Sequence, residues 1–279
     1  ASSAAVAVAT ALAVRALHPY RLGPAGLLEP PARERNGTLP PPDGGERREL
    51  ARLCRTAEHA FVGVQCGLLD QISCLFGKAQ HAIELDCQSV SVETVPLPGA
   101  VNLVVCPSGV THALAAGDYN ALRAECEGAA RALGVKSLRP VDAVRLAAGR
   151  DRLTARQLEC AQHVAGEIQR VVAGTRALRD GDLEQFGQYL FQSHASSRDL
   201  LRNSCPELDR LVDLAGRHPA CLGARLTGGG FGGATLSLVK CEGTEAFLDH
   251  MARGWAEAGG GVLKPLCVQT ADGAREADA

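Results

Sequence analysis

Five glycines surround Phe231 between positions 228 and 233, in the sequence GGGFGG. Gly228, Gly230 and Gly233 satisfy the G-x-G-x-x-G pattern of dinucleotide-binding proteins. That pattern requires a helix that begins at the glycines, whereas residues 235–239 (TLSLV) are predicted to continue as a strand. We therefore expect a strand-loop-strand whose backbone closely approaches another group, with a ligand-free glycine-rich hairpin as the alternative. Phe231 is predicted to be a core residue in both cases.

An aspartate, Asp70, lies among glycine and apolar residues in the segment 66–72 (CGLLDQI). A carboxylate in such surroundings is expected to be partly buried, and a buried carboxylate needs a partner or a functional role. Two interpretations stay open, because Asp70 could also be a structural residue that caps the following helix. Glu58, twelve residues earlier, is on its own more typical of a solvated surface charge.

Two serines, Ser2 and Ser3, precede an alanine-rich apolar run that is typical of the start of a buried helix. A compact domain seldom begins with such a helix, so we expect that an N-terminal part is missing. The stretch 19–45 is rich in proline and glycine, with seven of the fourteen prolines between Pro19 and Pro42, and is predicted to be a surface insertion.

Periodicity predicts an α+β protein with a mostly helical second half. A helix over 46–60 is expected to present Leu50, Leu53, Ala57 and Phe61 on one face, and Ser204 and Glu207 are predicted to form a capping box with Pro206 at the first helical position. The other predicted helices cover 118–133, 155–178, 182–201 and 244–256, and the predicted strands cover 81–86, 89–95, 101–105, 222–226, 234–239 and 262–269.

The bulk composition indicates a globular protein of 279 residues, 46% apolar and 22% charged. Acidic and basic residues are interspersed at a net charge of -2, which argues against nucleic-acid or membrane partners. The eleven cysteines include no C-x-x-C pair and favour reduced thiols in a cytoplasmic protein. The apolar stretch 4–17 imitates a signal peptide, but Arg15 interrupts it and no basic segment precedes it.

Several ordered motifs resemble the GHMP small-molecule kinases and, within them, the galactokinase group. Residues 1–5 (ASSAA) are similar to the end of the phosphate-loop motif G-L-S-S-S-A. Residues 58–61 (EHAF) and 66–71 (CGLLDQ) resemble E-H-x-F and C-G-x-M-D-Q, with Leu69 in place of methionine. Residues 228–233 resemble the third motif, G-x-G-F-G-G. Further similarities lie at residues 118–120, 125–127, 163–170, 193–194 and 204–209.

The resemblance implies a two-lobed GHMP kinase fold, with residues 1–105 as the remainder of the N-terminal lobe and residues 106–279 as the C-terminal lobe. It also implies transfer of the γ-phosphoryl group of ATP to the anomeric hydroxyl of galactose, with Mg²⁺ bridging the phosphates. Asp70 would orient or deprotonate the sugar hydroxyl, and Gly67 and Tyr119 would contact the sugar. Ser3 and Glu58 would bind the metal. The residues implied in nucleotide binding are Ser2, Ser3, Gly228, Gly229, Gly230 and Gly232. His163 and His194 are interpreted as structural helix histidines.

The sequence departs from the family pattern at its start. The sugar-recognition motif G-R-V-N-L-I-G-E-H-x-D-Y, with the arginine that the family sets opposite its aspartate, has no counterpart here. We therefore expect this chain to bind ATP weakly and to turn over galactose poorly or not at all. The alternatives are a kinase for a related sugar, such as N-acetylgalactosamine or arabinose, and a non-catalytic sugar sensor. The expected partners are a sugar and ATP, and the expected state is a monomer.

Overall fold

The computed structural model describes residues 2–18, 20–29, 40–63, 66–110 and 115–275. Within them helices and strands are mixed, which confirms the predicted α+β class. Ala1 and residues 30–39 of the proline-rich stretch lie outside the described residues. The helices are α1 (Ser2–Leu17), α2 (Gly44–Ala57), α3 (Leu69–Phe76), α4 (Ala115–Ala132), α5 (Ala143–Gly149), α6 (Ala155–Asp180), α7 (Leu183–Ser196), α8 (Pro206–Gly216) and α9 (Thr244–Glu257). The strands are β1 (Arg21–Leu22), β2 (Leu28–Glu29), β3 (His81–Asp86), β4 (Ser91–Pro96), β5 (Val101–Pro107), β6 (Cys221–Thr227), β7 (Ala234–Lys240) and β8 (Leu266–Val268).

Two compact units are formed by these elements. The first combines the described parts of Ala1–Val95 and Thr270–Ala279, and the second is Pro96–Gln269. The division at 95 differs from the boundary predicted at 105, because β5 pairs along its whole length with β7 and so belongs to the second unit.

The first unit is built on α1, α2 and α3. Ala4, Val8 and Leu12 follow one another at a four-residue spacing and form the buried stripe of α1. Its core is completed by side chains from α2, α3 and the turn between β3 and β4, namely Leu50, Ala51, Cys54, Leu68, Ile72, Leu75 and Val90.

The face predicted for α2 is corrected by the structure. Leu50 is buried as expected, but Leu53 is 51% exposed and Phe61 is 90% exposed, and the buried positions are instead Ala51 and Cys54. The helix changes to a π-helical turn at Glu58–Val62, which ends at Gly63 in the left-handed region. The wider π-turn alters the register of the side chains, so Phe61 leaves the face that a continuous α-helix would give it.

Polar contacts join α1 and α2 at both ends. Arg15 makes a bidentate buried ion pair with Glu46, with Nε 2.9 Å from Oε1 and Nη2 3.0 Å from Oε2. At the other end the Ser3 hydroxyl hydrogen-bonds the Glu58 carboxylate. Ser3 and Arg15 are twelve residues apart on the first helix, and Glu46 and Glu58 are twelve residues apart on the second, in the opposite order. The helices therefore run antiparallel, and the two contacts are about 18 Å apart along the helix axes.

The second unit contains a four-stranded antiparallel sheet in the order β6-β7-β5-β8. Val104 and Val239 pack with Phe247 and Met251 of α9 in one core cluster. Leu238, which points the other way on β7, packs in a second cluster whose other members include Val101, Leu222, Leu183, Phe186 and Leu190. The sheet is therefore covered on both faces.

A close backbone contact lets α7 lie directly on β6. A Cβ at Gly187 would lie 2.1 Å from the Leu222 carbonyl oxygen, and a Cβ at Gly223 would lie 2.1 Å from the Gly187 carbonyl oxygen. Only glycine fits at both positions, so α7 holds β6 and the hairpin that follows it.

In this unit one local prediction fails and one helix was not predicted. The predicted capping box at Ser204 is wrong, because the N-cap of α8 is Cys205 and the Ser204 hydroxyl instead donates to Asp209 at 2.6 Å. A capping box does occur at the start of α6, between Thr154 and Gln157. Helix α5 was not predicted from the sequence.

All eleven cysteines are free thiols. No helix within the described ranges is long and apolar enough to cross a bilayer.

Loss of the Glu46 carboxylate should destabilise the first unit strongly. Burial acts to raise the pKa of Glu46, but the bonds from Arg15 and the Leu22 amide outweigh it, and the pKa lies below its ordinary value. Glu46→Ala would leave Arg15 buried and unpaired, so we expect a loss of about 3 to 5 kcal/mol in the free energy of unfolding, measured by urea titration. Glu49→Ala, which removes the more exposed pair with Arg52, should cost about 1 kcal/mol or less. Equal losses in the two variants would contradict the prediction.

Candidate active site

The Glu58 carboxylate is a meeting point for three elements of the first unit. Its Oε2 accepts hydrogen bonds from Gln71 Nε2 at 2.6 Å and from the Cys66 thiol at 3.1 Å. Ser3, at the start of α1, adds a third donor through its hydroxyl. The Ser3 bond is the largest cause that holds the pKa of Glu58 below its ordinary value, against the opposing effect of burial, and the bonds from Cys66 and Gln71 add to it. Glu58 is therefore a tethered anion, and the surface-charge interpretation is replaced.

Asp70 follows directly on this cluster, as the second residue of α3. Its side chain is exposed, so the expectation of partial burial is wrong. The capping interpretation also fails, because the N-cap residue is Leu68. A negative charge in the first turn is favourable at the positive end of the helix dipole. The neighbour on the other side, Gln71, is buried and fixes the start of α3 to Glu58.

Gly67 precedes α3 and is exposed. A Cβ built there would meet nothing within 4 Å, and its φ lies outside the left-handed region. Packing inside the first unit therefore does not require glycine at this position.

The Ser3 and Glu58 oxygens fit the requirements of a magnesium ion. Mg²⁺ prefers oxygen ligands, and in nucleotide sites it is bound by one or two protein groups together with phosphates and water. The hydroxyl and the carboxylate are already adjacent, as their hydrogen bond shows. Within the described part of the chain no cluster of three or more histidine, cysteine, aspartate or glutamate side chains could hold a metal. Ser2 is the first residue of α1.

The glycine-rich loop joins β6 to β7 in the second unit. Gly228, Gly230, Gly232 and Gly233 all have positive φ, and so does Phe231 at 58°. The conformation therefore requires glycine at most of these positions, since side chains disfavour it. Phe231 is half-buried and is not one of the buried core residues, so its prediction as a core residue is corrected.

The far side of the loop is fixed by the segment after β5. The Gly233 carbonyl accepts from the Ser108 amide at 2.7 Å and from the Ser108 hydroxyl at 2.9 Å. The Gly233 amide donates to the Val110 carbonyl at 3.1 Å. A Cβ at Gly232 would lie only 2.6 Å from the same Val110 oxygen.

The tip of the loop is fixed by Asn203. Its carbonyl accepts from the Phe231 amide at 2.6 Å, and its Nδ2 donates to the Gly229 carbonyl at 3.0 Å. A Cβ at Gly230 would lie 2.0 Å from the Asn203 carbonyl oxygen. The close approach predicted for this loop therefore exists, and the approaching groups are the backbones of Asn203 and the Val110 segment.

Tyr119 lies in the first part of α4 and is half-buried. A Cβ built on Gly229 would lie 3.6 Å from Cδ2 of its ring, which is an ordinary van der Waals distance. The second unit therefore brings Tyr119 next to the glycine-rich loop, and the first unit brings Ser3 and Glu58 together next to Asp70.

The two helix histidines are buried and have structural contacts. His163 Nδ1 lies 2.9 Å from the Ser196 hydroxyl. His194 Nδ1 accepts from the Leu226 amide at 3.3 Å, and its Nε2 lies 3.2 Å from Asp209 Oδ1. Burial lowers the pKa of both. These contacts agree with the structural interpretation of both residues.

Sequence reasoning missed the residues that hold these groups in place. Cys66 and Gln71 were identified only as positions of the C-G-x-M-D-Q motif, and no role was predicted for Asn203 or Ser108. Asn203 and the loop it binds are 26 residues apart, and no local pattern signals such a pair.

Comparisons with known proteins give one family. The GHMP kinases C terminal family matches residues 175–257. Galactokinase of Chloroflexus aurantiacus is 46% identical over 78% of this chain, and galactokinase of Bos taurus is 41% identical over 84%. The chain belongs to the GHMP kinase family. The structure of Lactococcus lactis galactokinase complexed with galactose matches this GHMP kinase with a TM-score of 0.78 at 31% identity, covering 81% of this chain and 60% of that one.

This GHMP kinase chain spans 57% of the Chloroflexus relative and 59% of the bovine one. An L. major mevalonate kinase structure, at 19% identity and a TM-score of 0.51, shares the fold. The resemblance drawn from the ordered motifs is thus confirmed.

The glycine loop of this GHMP kinase should respond unequally to added methyl groups. Gly230→Ala combines a positive φ with a collision against the Asn203 carbonyl, whereas Gly228→Ala has the positive φ but meets nothing within 4 Å. We expect about 1 to 2 kcal/mol of destabilisation for Gly228→Ala and clearly more for Gly230→Ala, measured by urea unfolding. Equal costs would mean that contact with Asn203 does not constrain the loop.

Proposed function

We propose that this protein catalyses the ATP-dependent phosphorylation of galactose at the anomeric hydroxyl, giving galactose 1-phosphate and ADP. The observation that carries the proposal is the cluster at the start of α3, where the tethered Glu58 carboxylate bonds Ser3 and Gln71 next to the exposed Asp70. These residues occupy the positions of two family motifs, and relatives over 40% identical are galactokinases.

In the proposed reaction the sugar 1-oxygen attacks the γ-phosphorus, and the bond from that phosphorus to the β,γ-bridging oxygen breaks. Asp70 accepts the hydrogen bond, and then the proton, of the sugar hydroxyl. Its exposure leaves the carboxylate accessible to a ligand. Such transfers depend mainly on positioning and charge neutralisation, so Asp70 has to be held in place more than activated. Gln71 supplies that anchorage through its bond to Glu58.

Ser3 and Glu58 would hold Mg²⁺, which would neutralise charge on the β- and γ-phosphates. The low pKa of Glu58 keeps its carboxylate ionised at neutral pH. The first amides of α1, from Ser2 onward, have no acceptor within the helix, and such amides would bind a phosphate.

In the second unit, Tyr119 would contact the sugar, and the backbone of the glycine loop would contact the nucleotide. Gly228, Gly229, Gly230 and Gly232 offer that backbone without side chains. The loop is already held by protein contacts, so it would lose little conformational freedom when a ligand binds.

Two other functions would be recognised by the results of the tests below. A kinase for N-acetylgalactosamine or arabinose would share the cluster at α3 and differ in the acceptor that supports ADP release. A sensor would bind sugar and ATP without turnover. We further propose that the protein works as a cytoplasmic monomer.

Removal of the Asp70 charge should abolish most of the sugar-dependent turnover. Asp70→Asn keeps the size of the side chain but cannot accept a proton, so we expect a loss of about 10² to 10⁴-fold in galactose-dependent ADP release in a coupled assay. Asp249→Asn, at an exposed position on α9, is the control and should leave turnover unchanged. Wild-type rates in Asp70→Asn would exclude Asp70 as the proton acceptor. Sugar and ATP binding without ADP release in the unaltered protein would identify a sensor.

Glu58→Gln should lower the affinity for the Mg²⁺ that supports ATP binding. The substitution removes the anionic metal ligand, so the Mg²⁺ concentration needed for half-maximal ATP binding should rise about tenfold or more, followed by calorimetric titration. Glu49→Gln, on the same helix, is the matched control. If both variants keep the wild-type magnesium dependence, Glu58 is a structural tether only.

A further inference from the structure

Asn203 contacts the glycine loop through both its backbone and its side chain. The Asn203 carbonyl receives the Phe231 amide at 2.6 Å, and the Asn203 amide group donates to the Gly229 carbonyl at 3.0 Å. Asn203 is 6% exposed, whereas Gly229 is exposed and Phe231 is half-buried, so a buried residue holds the outer part of the loop. Breaking the side-chain bond is costly, because the buried Asn203 amide group would lose its acceptor.

The segment that carries Asn203 is itself held rigidly. α7 ends in a π-helical turn at Ser197–Leu201, after which Arg202 turns the chain with a φ of 57°. Arg156 of α6 donates from Nη1 to the Leu200 carbonyl at 2.6 Å and from Nη2 to the Leu201 carbonyl at 2.5 Å. A charged, forked donor thus holds the last carbonyls before the turn. The left-handed residue then directs Asn203 toward the loop.

The position of Gly229 matters because Tyr119 lies against it. The space for a Cβ on Gly229 is bounded by the Tyr119 ring at 3.6 Å. A shift of the Gly229 peptide would therefore alter the room available to that ring. No other hydrogen bond to the Gly229 carbonyl is found among the described residues, so the Asn203 amide sets its direction.

We propose that Asn203 is a positioning residue, whose side-chain amide fixes the Gly229 peptide and through it the Tyr119 ring. The consequence for catalysis rests on the proposed function, in which Tyr119 contacts the sugar. The positioning of the loop and ring is independent of it. Asn203 would thus set how tightly the acceptor sugar is held, without touching the sugar.

The test uses Asn203→Asp, which preserves size and backbone and replaces the donor by an acceptor that repels the Gly229 carbonyl. The matched control is Asn102→Asp, the same exchange at a comparable side-chain bond, in which Asn102 Nδ2 donates to the Thr244 hydroxyl at 3.0 Å. Amide hydrogen exchange over 227–233 should become about fivefold to tenfold faster in Asn203→Asp and stay unchanged in Asn102→Asp. If Asn203→Asp does not fold, Asn203→Ser takes its place, because its shorter hydroxyl cannot reach Gly229.

A second measurement separates positioning from general loosening. Nitration of individual tyrosines by tetranitromethane, followed by mass spectrometry, should change at least twofold at Tyr119 in Asn203→Asp. Tyr189, half-buried in α7 of the same unit, should react as in the wild type. Equal exchange and equal nitration in Asn203→Asp and Asn102→Asp would overturn the proposal, and so would a parallel rise at both tyrosines.

A third measurement, of galactose kinetics, tests the part of the proposal that depends on the proposed function. The galactose KM should rise about fivefold in Asn203→Asp, with a smaller change in kcat, because binding contacts are displaced while Asp70 is untouched. A changed loop and ring with an unchanged galactose KM would overturn the link to the sugar. If the unaltered protein neither binds nor phosphorylates galactose, the proposed function fails, and exchange and nitration alone decide the role of Asn203.

Discussion

The antiparallel pairing of α1 and α2, fixed by one polar contact near each end, is the constraint on which the first unit depends. The buried Arg15–Glu46 pair has a large desolvation cost, so its contribution is better described as fixing register than as adding net stability. The register in turn decides that Ser3 meets Glu58. Since Glu58 also binds Gln71, the start of α3 and the carboxylate of Asp70 are fixed by the same arrangement. A structural ion pair and a candidate metal ligand thus lie twelve residues apart on one helix and its π-turn.

In the second unit the main constraint is a set of hydrogen bonds that hold an irregular loop in a single conformation. Regular hydrogen bonding ends at Thr227 and resumes at Ala234. Between them the backbone groups are bonded by Asn203 on one side and by Ser108 and Val110 on the other. Contacts of this kind hold a loop in one conformation without regular geometry, and in the proposed function this backbone would present its groups to the nucleotide.

The sequence predicted those features that depend on local periodicity or on a motif. α1 was expected to begin at the two serines, and the strands on both sides of the glycine loop lie where the alternation placed them. The exposure of Phe61 was not foreseen, because a π-turn changes the angular spacing without any sign in residue types. Leu53 precedes that turn, and its exposure shows that the buried face of α2 is centred on Leu50, Ala51 and Cys54. Asp70 was expected to be partly buried because its neighbours are apolar, yet in a helix neighbours in sequence point to different sides, and Gln71 is the residue that faces inward. The Asn203 contact joins distant parts of the chain, which a single sequence does not reveal.

The glycines of the two motifs can be sorted by what requires them. Gly230 and Gly232 are required by close backbone neighbours, and Gly228 and Gly233 by a positive φ. Gly67 and Gly229 differ from these four, since neither has a positive φ and neither would place a Cβ closer than 3.6 Å to another group. Folding alone would therefore tolerate a side chain at these two positions. Both lie beside a residue assigned to the sugar, Gly67 near Asp70 in the chain and Gly229 against the Tyr119 ring. Under the proposed function, the missing side chains at these two positions would leave space for the sugar.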